Sequence, residues 1–212
     1  MQEVHLKDYN LQTDLNINFL IYFPEDYTTD STWPLMIFLH GRGEQGNDLE
    51  KVKIHGPTRR IKEGAEFPFI LVAPQCPQDQ WWSVADLDKM LDYLLKNLPI
   101  DQNRIYLTGL SMGGFGTWAW ATDQPQRFAA IAPICGGGDS RLAWRLKELP
   151  VWVFHGAKDN TVPIGRSQEM VDALKKVGSD VRFTVYPEAG HDSWTETYAN
   201  PELYDWFLSK HK

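Results

Sequence analysis

Residues Gly109-Leu110-Ser111-Met112-Gly113 read Gly-x-Ser-x-Gly, and this pentapeptide is the most informative motif in the sequence. It follows a strand-like run, 104–108, and precedes a glycine-rich, helix-like run, 114–120. Between a strand and a helix, this pentapeptide holds a serine on a strained turn with its hydroxyl exposed. Glycines suit the turn because a side chain would collide where the helix crosses the strand, and because glycine tolerates unusual backbone angles. The context predicts that Ser111 is a nucleophile; the alternative is an ordinary glycine turn, since the pentapeptide alone occurs often by chance.

The base that a nucleophilic serine needs is predicted to be His191. A hydroxyl attacks poorly until an imidazole accepts its proton, and a carboxylate must hold that imidazole in the right tautomer. In one fold that uses this turn, the chain order is Ser, then Asp or Glu, then His. If the acid also follows a strand after Ser111, only two of the six histidines come late enough. His191 lies in a turn-rich loop after the strand-like run 181–186, whereas His211 is the penultimate residue, on a tail expected to fray.

The acid is predicted to be Asp159, in the loop that leaves the apolar, β-branched run 151–156. Asp139 is the alternative, because it also follows a strand-like run, 128–134, after three glycines. The geometry of such a triad requires the acid at the end of a strand, and both positions meet that condition. Three other aspartates fall on helix ends or helix faces and are predicted to be surface charges: Asp123, Asp172 and Asp180.

The segments that carry this chemistry resemble the α/β-hydrolase superfamily. The resemblance lies in residues 109–114, His155-Gly156-Ala157-Lys158-Asp159, Gly190-His191 and Phe38-Leu39-His40-Gly41-Arg42-Gly43-Glu44, and the opening run 19–27 also looks like the leading strands of the group. More narrowly, the chain is similar to small lid-less phospholipase/carboxylesterase-like enzymes and to related predicted peptidases and polysaccharide-ester esterases. The resemblance implies Ser111 as nucleophile, Asp159 as acid, His191 as base, and the backbone N–H groups of Arg42 and Met112 as oxyanion donors.

The loop 40–46 follows a buried-strand run and supports two interpretations. In the α/β-hydrolase arrangement it completes an oxyanion hole, with Arg42 and Met112 as the donors. Carboxylesterases of the group often have an apolar residue in place of Arg42, so the entrance is expected to be more polar or able to meet an anionic substrate. The loop also matches Gly-x-Gly-x-x-Gly, a dinucleotide fingerprint that needs a following helix and a later strand ending in an acid. Because the continuation contains Gly56-Pro57 and the next strand ends in Pro74, no nucleotide is expected.

Strand-like and helix-like runs alternate along the chain, which predicts an α/β fold with a mostly parallel central sheet and helices on both faces. The strands read as continuous apolar runs because both faces of such a sheet are covered. After a β-rich opening, strands are predicted near 35–39, 69–73, 104–108, 128–134, 151–155 and 181–186, and helices near 83–97, 113–122, 141–148, 166–177 and 196–209. Residues 1–212 suit a single domain, and the short connection 136–140 leaves no room for a lid domain.

Charge and composition restrict the expected partners. A net charge of −7 over 212 residues argues against nucleic acid and anionic membranes. No apolar run reaches the ~18 residues that span a bilayer, and the N-terminus lacks a signal peptide's basic start and apolar core. The chain as it stands is therefore expected in the cytoplasm, with export open if a signal was removed. Cys76 and Cys135 are expected to be buried free thiols. No metal and no cofactor are expected, and His40, His55 and His155 are interpreted as structural or loop residues.

Nine tryptophans are many for this length, and some are candidates for the substrate pocket. Trp81 and Trp82 follow a loop on the strand-end side, where ligands bind in open α/β sheets, and Trp194 lies close after His191. These three are expected either to contact substrate, since such sites are lined by apolar and aromatic groups, or to pack in the core. Core packing is the prediction for three others: Trp118, Trp120 and Trp152.

Together these observations favour a serine carboxylesterase that acts on short-chain or soluble esters through an acyl-enzyme. The same triad would serve a feruloyl or acetyl esterase on plant polysaccharide, a thioesterase or a peptidase, and the sequence does not separate them. A dienelactone-type hydrolase is disfavoured, because that similar group uses cysteine where Ser111 stands. A catalytically silent binding module is also disfavoured, since every triad position carries a competent residue type. A small-molecule ester is the expected partner, and the oligomeric state stays open.

Overall fold

The computed structural model describes residues 6–11 and 17–212, which form an eight-stranded sheet with helices packed on it. The strands are β1 (Leu6–Leu11), β2 (Ile17–Tyr22), β3 (Trp33–Leu39), β4 (Ile70–Pro74), β5 (Ile100–Leu110), β6 (Ala130–Ile134), β7 (Val151–Gly156) and β8 (Val181–Tyr186). They lie in the order β1-β2-β4-β3-β5-β6-β7-β8. β2 runs antiparallel to both of its neighbours, and every other adjacent pair is parallel. The predicted mostly parallel sheet is therefore confirmed.

The α-helices are α1 (Gly56–Lys62), α2 (Val84–Asn97), α3 (Met112–Asp123), α4 (Gly165–Lys176), α5 (Trp194–Ala199) and α6 (Pro201–Leu208), and 3-10 helices cover Arg42–Glu44, Leu49–Lys53, Pro125–Arg127 and Ser140–Leu146. Three helix predictions need correction. Gly56-Pro57, interpreted as a break, instead begins α1, because the first turn of a helix does not use the N–H that proline lacks. The helix predicted near 141–148 is a 3-10 helix. The helix predicted over 196–209 is two helices, because Pro201 has no N–H to continue α5.

Two apolar layers cover the sheet, one on each face. Alternate residues of β3 belong to opposite layers, with Leu35, Ile37 and Leu39 in one and Met36 and Phe38 in the other. This alternation is the two-residue period of a strand. The first layer also contains buried side chains of α2, α3 and α4, and the second contains those of α1, α5 and α6. Both faces of the sheet are therefore covered by helices, as predicted.

The carboxyl ends of the parallel strands gather the candidate residues at one edge of the sheet. The loop that begins at His40 follows β3, and Ser111 follows β5. Asp159 and His191 lie in the loops after β7 and β8. Open α/β sheets place their ligand sites at this edge.

The connection after β6 is short, as predicted. Only residues 135–139 separate β6 from the 3-10 helix at Ser140–Leu146, and no lid is inserted there. Within residues 6–11 and 17–212, no helix has the length and apolar character needed to cross a bilayer. That residues 1–212 form a single domain stays a prediction.

Candidate active site

Ser111 occupies the turn between β5 and α3, with φ 52° and ψ −116°. A positive φ is uncommon for a residue with a side chain and marks a strained position that its surroundings hold in place. The turn is tied to the neighbouring strand, because the Ser111 N–H donates to the carbonyl oxygen of Ile134 at 2.9 Å. The Ser111 side chain is half-buried, so its hydroxyl remains accessible at the edge of the sheet.

Contact between three backbones explains the glycines on either side of Ser111. A Cβ atom at Gly109 would lie 2.4 Å from the carbonyl oxygen of Gly113. A Cβ atom at Gly113 would lie 1.9 Å from the carbonyl oxygen of Leu39. No side chain fits at either distance, so β3, β5 and α3 touch through main-chain atoms. The steric reason predicted for both glycines is confirmed.

The imidazole of His191 connects Ser111 to Asp159 through two hydrogen bonds. Its Nδ1 lies 2.7 Å from Oδ2 of Asp159, and its Nε2 lies 2.9 Å from Oγ of Ser111. An ionised carboxylate can only accept, so Nδ1 carries the proton and donates it to Asp159. Nε2 is then the acceptor that faces the Ser111 hydroxyl. The loops after β5, β7 and β8 thus bring the three predicted residues into one hydrogen-bonded chain.

Asp159 is buried among hydrogen-bond donors. Its Oδ1 accepts the backbone N–H groups of Thr161 and Val162, each at 2.9 Å, and its Oδ2 also lies 3.2 Å from Nε2 of His155. Burial raises the pKa of the Asp159 carboxyl, but the hydrogen bonds from His191, Val162 and Thr161 outweigh burial and hold the pKa below its usual value. Asp159 is therefore ionised at neutral pH, which is the state that orients an imidazole and stabilises an imidazolium.

His155 is buried beside Asp159, which the sequence does not reveal. Its Nε2 lies 2.9 Å from the Val162 carbonyl oxygen, and its Nδ1 lies 2.8 Å from Oγ of Ser167. Burial lowers the pKa of His155, which keeps the ring neutral at neutral pH. These contacts agree with its interpretation as a structural residue.

The alternative acid and base lie outside this chain of hydrogen bonds. Asp139 is exposed, and its two carboxylate oxygens accept from the Arg141 guanidinium at 2.9 and 2.7 Å. His211 is exposed near the end of the chain. The three aspartates predicted to be surface charges are exposed: Asp123, Asp172 and Asp180.

Arg42 and Met112 each occupy the first position of a helix. Backbone N–H groups in the first turn have no acceptor inside the helix, so both are available to a ligand. The two segments pack together, since a Cβ atom at Gly41 would lie 2.8 Å from Cδ1 of Leu110, and Nε2 of Gln45 contacts Sδ of Met112 at 3.5 Å. Two free donors on adjoining loops are what an oxyanion hole requires.

Of the three candidate pocket tryptophans, Trp81 contacts α3 and Trp194 contacts His191. Trp81 is 65% exposed, and its ring stands edge-on to Phe115 of α3 with 6.0 Å between centroids. The ring of Trp194 is perpendicular to that of His191, with 5.2 Å between centroids. That either ring contacts substrate stays a prediction.

Trp82 packs against the interior, and so does Trp194, which contacts the second apolar layer. Trp82 is half-buried, contacts the first apolar layer, and donates its Nε1–H to the His40 carbonyl oxygen at 3.3 Å. Both residues therefore pack in the core, and their contact with substrate stays a prediction. The three tryptophans assigned to the core are buried, as predicted: Trp118, Trp120 and Trp152.

The contacts that two buried residues, Glu44 and Cys135, make beside the site are not evident from the sequence. Glu44 lies in the loop after β3, and burial raises the pKa of its carboxyl. Cys135 directly follows β6, and its Sγ lies within 4.8 Å of potential ligand atoms of Asp159 and His191. Burial raises the pKa of the Cys135 thiol to about 12, so at neutral pH the thiol is protonated. The signal that the sequence offered for this location was that Cys135 directly follows a strand. Cys76 and Cys135 are both buried and free, as predicted.

Comparisons with known proteins relate the chain to ester hydrolases. The family model described as phospholipase/carboxylesterase matches residues 67–201. A bifunctional acetylxylan esterase/xylanase of Neocallimastix patriciarum is 26% identical over 168 residues, which cover 74% of this chain and 23% of that protein. The probable feruloyl esterase C of Aspergillus niger is 22% identical over 185 residues, which cover 84% of this chain and 68% of that protein. The crystal structure of a thermostable esterase is 33% identical with a TM-score of 0.86, and the match covers 98% of this chain and 63% of that one.

Proposed function

Because the chain belongs to the phospholipase/carboxylesterase family, we propose that it is a serine carboxylesterase that hydrolyses short-chain or soluble esters through an acyl-enzyme. The observation that carries the proposal is the hydrogen-bonded chain from Ser111 through His191 to Asp159, at 2.9 and 2.7 Å. A serine on a strained turn, an imidazole with its acceptor nitrogen facing the hydroxyl, and a buried ionised carboxylate meet the requirements of acyl transfer.

Acylation begins when Oγ of Ser111 attacks the ester carbonyl carbon while Nε2 of His191 takes the hydroxyl proton. Asp159 orients the imidazole and stabilises the imidazolium that forms. The carbonyl oxygen becomes an oxyanion that accepts from the N–H groups of Arg42 and Met112, which stabilise the charge as it develops. The tetrahedral intermediate then collapses, the bond from carbon to the alcohol oxygen breaks, and His191 gives its proton to the leaving alcohol.

Deacylation repeats the same steps with water as the nucleophile. His191 takes a proton from water, and the hydroxide attacks the acyl carbon in front of the same two N–H donors. Collapse of this second intermediate breaks the bond to Oγ, and His191 returns the proton to Ser111. The carboxylic acid is released and the resting enzyme is restored.

A second candidate within this chemistry is hydrolysis of acetyl or feruloyl esters on polysaccharide. Two of the similar proteins are named as acetylxylan and feruloyl esterases. The exposed ring of Trp81 beside Phe115, on the helix that begins after Ser111, offers an aromatic surface for a sugar or phenolic ring. The connection after β6, which inserts no lid, leaves that surface open to an ester that protrudes from a polymer.

The proposed function is tested by hydrolysis of p-nitrophenyl esters from acetate to laurate by wild type, Ser111→Ala and Ser31→Ala. Removing the nucleophile of a serine hydrolase lowers turnover by about 10⁶-fold, so Ser111→Ala should be inactive. The exposed Ser31 lies in the turn before β3 and serves as the matched control, which should keep wild-type turnover. The ratio of kcat/KM for methyl ferulate to that for p-nitrophenyl acetate decides between the two candidates.

Covalent labelling supplies a second readout. A fluorophosphonate should modify Ser111 stoichiometrically, and mass spectrometry of the labelled peptide locates the adduct. An inactive wild type on every ester, or a Ser111→Ala variant as active as the wild type, contradicts the proposed function.

A further inference from the structure

The loop after β3 (residues 40–46, the oxyanion loop) is held more by side chains than by its own helical turn. The backbone hydrogen bonds within that turn are long, at 3.5 Å from Glu44 N to Gly41 O and 3.4 Å from Gln45 N to Arg42 O, although Gly46 N binds Cys76 O at 3.0 Å. Two side-chain bonds to Gly41 are shorter, because its oxygen lies 2.6 Å from Nδ1 of His40 and its nitrogen lies 2.8 Å from Oε2 of Glu44. Ordinary N–H···O distances are ~2.7–3.2 Å, so the side-chain bonds are the stronger constraints.

The contacts of His40 determine which of its ring nitrogens carries the proton. The backbone N–H of Cys76 donates to Nε2 at 3.0 Å, and because an N–H can only donate, Nε2 is unprotonated. In the neutral ring the proton is therefore on Nδ1, which donates it to the Gly41 carbonyl. The ring is fully buried, and burial lowers the pKa of His40 to about 4, so this tautomer persists throughout the neutral pH range.

The Gly41 carbonyl and the Arg42 N–H belong to one peptide group. Within residues 6–11 and 17–212 no peptide bond is cis, and in a planar trans group the C=O and N–H point in opposite directions. A buried donor that binds the C=O on one side of this peptide group therefore fixes the direction of the N–H on its opposite side.

We propose that His40 is a positioning residue for the oxyanion hole: its Nδ1–H holds the Gly41 carbonyl so that the Arg42 N–H faces the oxygen of the reacting ester. This inference rests on the proposed function, since it requires the Arg42 N–H to be an oxyanion donor. Glu44 holds the preceding peptide group by accepting the Gly41 N–H, so the loop is clamped on both sides of Gly41. Without the His40 bond the peptide group can rotate, and the donor must be reoriented in each turnover.

The donor itself is tested by comparing Arg42→Pro with Arg42→Ala. Proline lacks an N–H and is accepted at the first position of a helix. Gly41 has φ −80° and ψ −175°, the extended conformation that a residue before proline adopts, so the change suits the loop. Arg42→Ala removes the same side chain and keeps the N–H. We expect kcat of Arg42→Pro to be ~10²–10³-fold below that of Arg42→Ala, with similar KM, because an oxyanion donor acts in the transition state.

The role of His40 is tested by two amides that each replace one ring nitrogen. His40→Asn places its NH2 near the former Nδ1 and keeps a donor for Gly41, whereas His40→Gln reaches the former Nε2 and keeps only an acceptor for Cys76. We expect kcat of His40→Gln to be about 10- to 100-fold below that of His40→Asn. In the Arg42→Pro background this difference should shrink to less than about twofold, because the donor that His40 positions is absent.

Tyr204→Phe controls for a general loss of stability. It deletes a buried bond of the same type, from the Tyr204 hydroxyl to the Tyr198 carbonyl oxygen at 2.9 Å, far along the chain from the oxyanion loop. Its melting temperature should fall while kcat does not.

The positioning role is overturned if His40→Gln and His40→Asn differ equally with and without the Arg42 N–H. It is also overturned if nitrogen NMR of histidine-labelled wild type shows the His40 proton on Nε2, a measurement that needs no folded variant. Failure of the proposed function would give a different result, because the Ser111→Ala variant would then remain active. If Ser111→Ala is inactive but His40→Gln and His40→Asn differ equally with and without the Arg42 N–H, only the positioning role of His40 is contradicted.

Discussion

Replacing Asp159 by asparagine should reverse the tautomer of His191. Oδ1 of Asp159 accepts the N–H groups of Thr161 and Val162, whereas Oδ2 faces Nδ1 of His191. In Asp159→Asn the amide oxygen stays with the two N–H donors, so the NH2 group is directed at His191. Because an NH2 group donates, Nδ1 must accept, and the ring proton moves to Nε2. A protonated Nε2 cannot take the proton of Ser111.

The size of the effect follows from the cost of restoring the active tautomer. To present oxygen to His191, the amide must flip, and the N–H groups of Thr161 and Val162 then lose their acceptor. A buried donor left unpaired costs about 1–3 kcal/mol, so the two together cost about 2–6 kcal/mol. At about 1.36 kcal/mol for each factor of ten, kcat/KM should fall between about 30-fold and about 3 × 10⁴-fold.

The assay is hydrolysis of p-nitrophenyl acetate at neutral pH by wild type, Asp159→Asn and Asp139→Asn, with a thermal melt of each. Asp139 is the matched control, because it is exposed and pairs with Arg141, so its replacement should leave kcat/KM at the wild-type value. A folded Asp159→Asn that keeps more than about a tenth of the wild-type kcat/KM would refute the reasoning, since even the smallest estimated cost exceeds that loss. An equal loss in Asp139→Asn would refute it as well.

Three further changes test the surroundings of the site. Gly113→Ala should prevent stable folding, because its Cβ would lie 1.9 Å from a carbonyl oxygen of β3. Gly165→Ala at the start of α4 is the control, because its Cβ would meet nothing within 4 Å, and it should raise the free energy of unfolding by about 0.5–1 kcal/mol. Urea unfolding compares the two variants. Similar stabilities would contradict the main-chain contact between Gly113 and β3. At about pH 8, iodoacetamide should leave Cys135 unmodified in the folded protein, because a thiol with a pKa of about 12 is ionised to only ~10⁻⁴ there. Mass spectrometry before and after denaturation measures the modification of Cys135, and rapid labelling of Cys135 in the native protein would contradict the prediction. Trp81→Ala should raise KM for methyl ferulate by about 2- to 10-fold more than KM for methyl butyrate, and equal shifts exclude an aromatic contact.

The elements of this fold that could be predicted are those with a local signal. The central strands β3, β4, β6 and β7 are largely apolar runs, and Ser111, Asp159 and His191 each follow a strand. Because parallel strands end at one edge of the sheet, position after a strand was enough to bring the three residues together. Helix boundaries were harder to predict. Pro57 lies in the first turn of α1, and Pro201 lies in the first turn of α6, where it divides a helix that was predicted to be continuous. Proline can occupy the first turn of a helix but cannot continue one, so its presence alone does not say which applies.

Residues whose contacts depend on the folded chain could not be predicted. The tautomer of His40 is determined by the N–H of Cys76, which belongs to the loop after a different strand. Glu44 matches no catalytic motif, and its role is visible only from the bond that it accepts from Gly41. Trp82 and Trp194 are both half-buried and pack against different apolar layers, and nothing in their local sequence indicates that Trp194 also contacts the ring of His191.

The main-chain contact of Gly109 and Gly113 with β3 has a consequence for how such a protein can change over generations. Backbone segments with no side chain between them fix the position of Ser111, whereas the surface proposed to meet the substrate is formed by side chains such as Trp81. A point substitution on that surface leaves the serine and its oxyanion donors in place. A lineage can therefore exchange one ester for another by single mutations while the reaction itself is inherited unchanged.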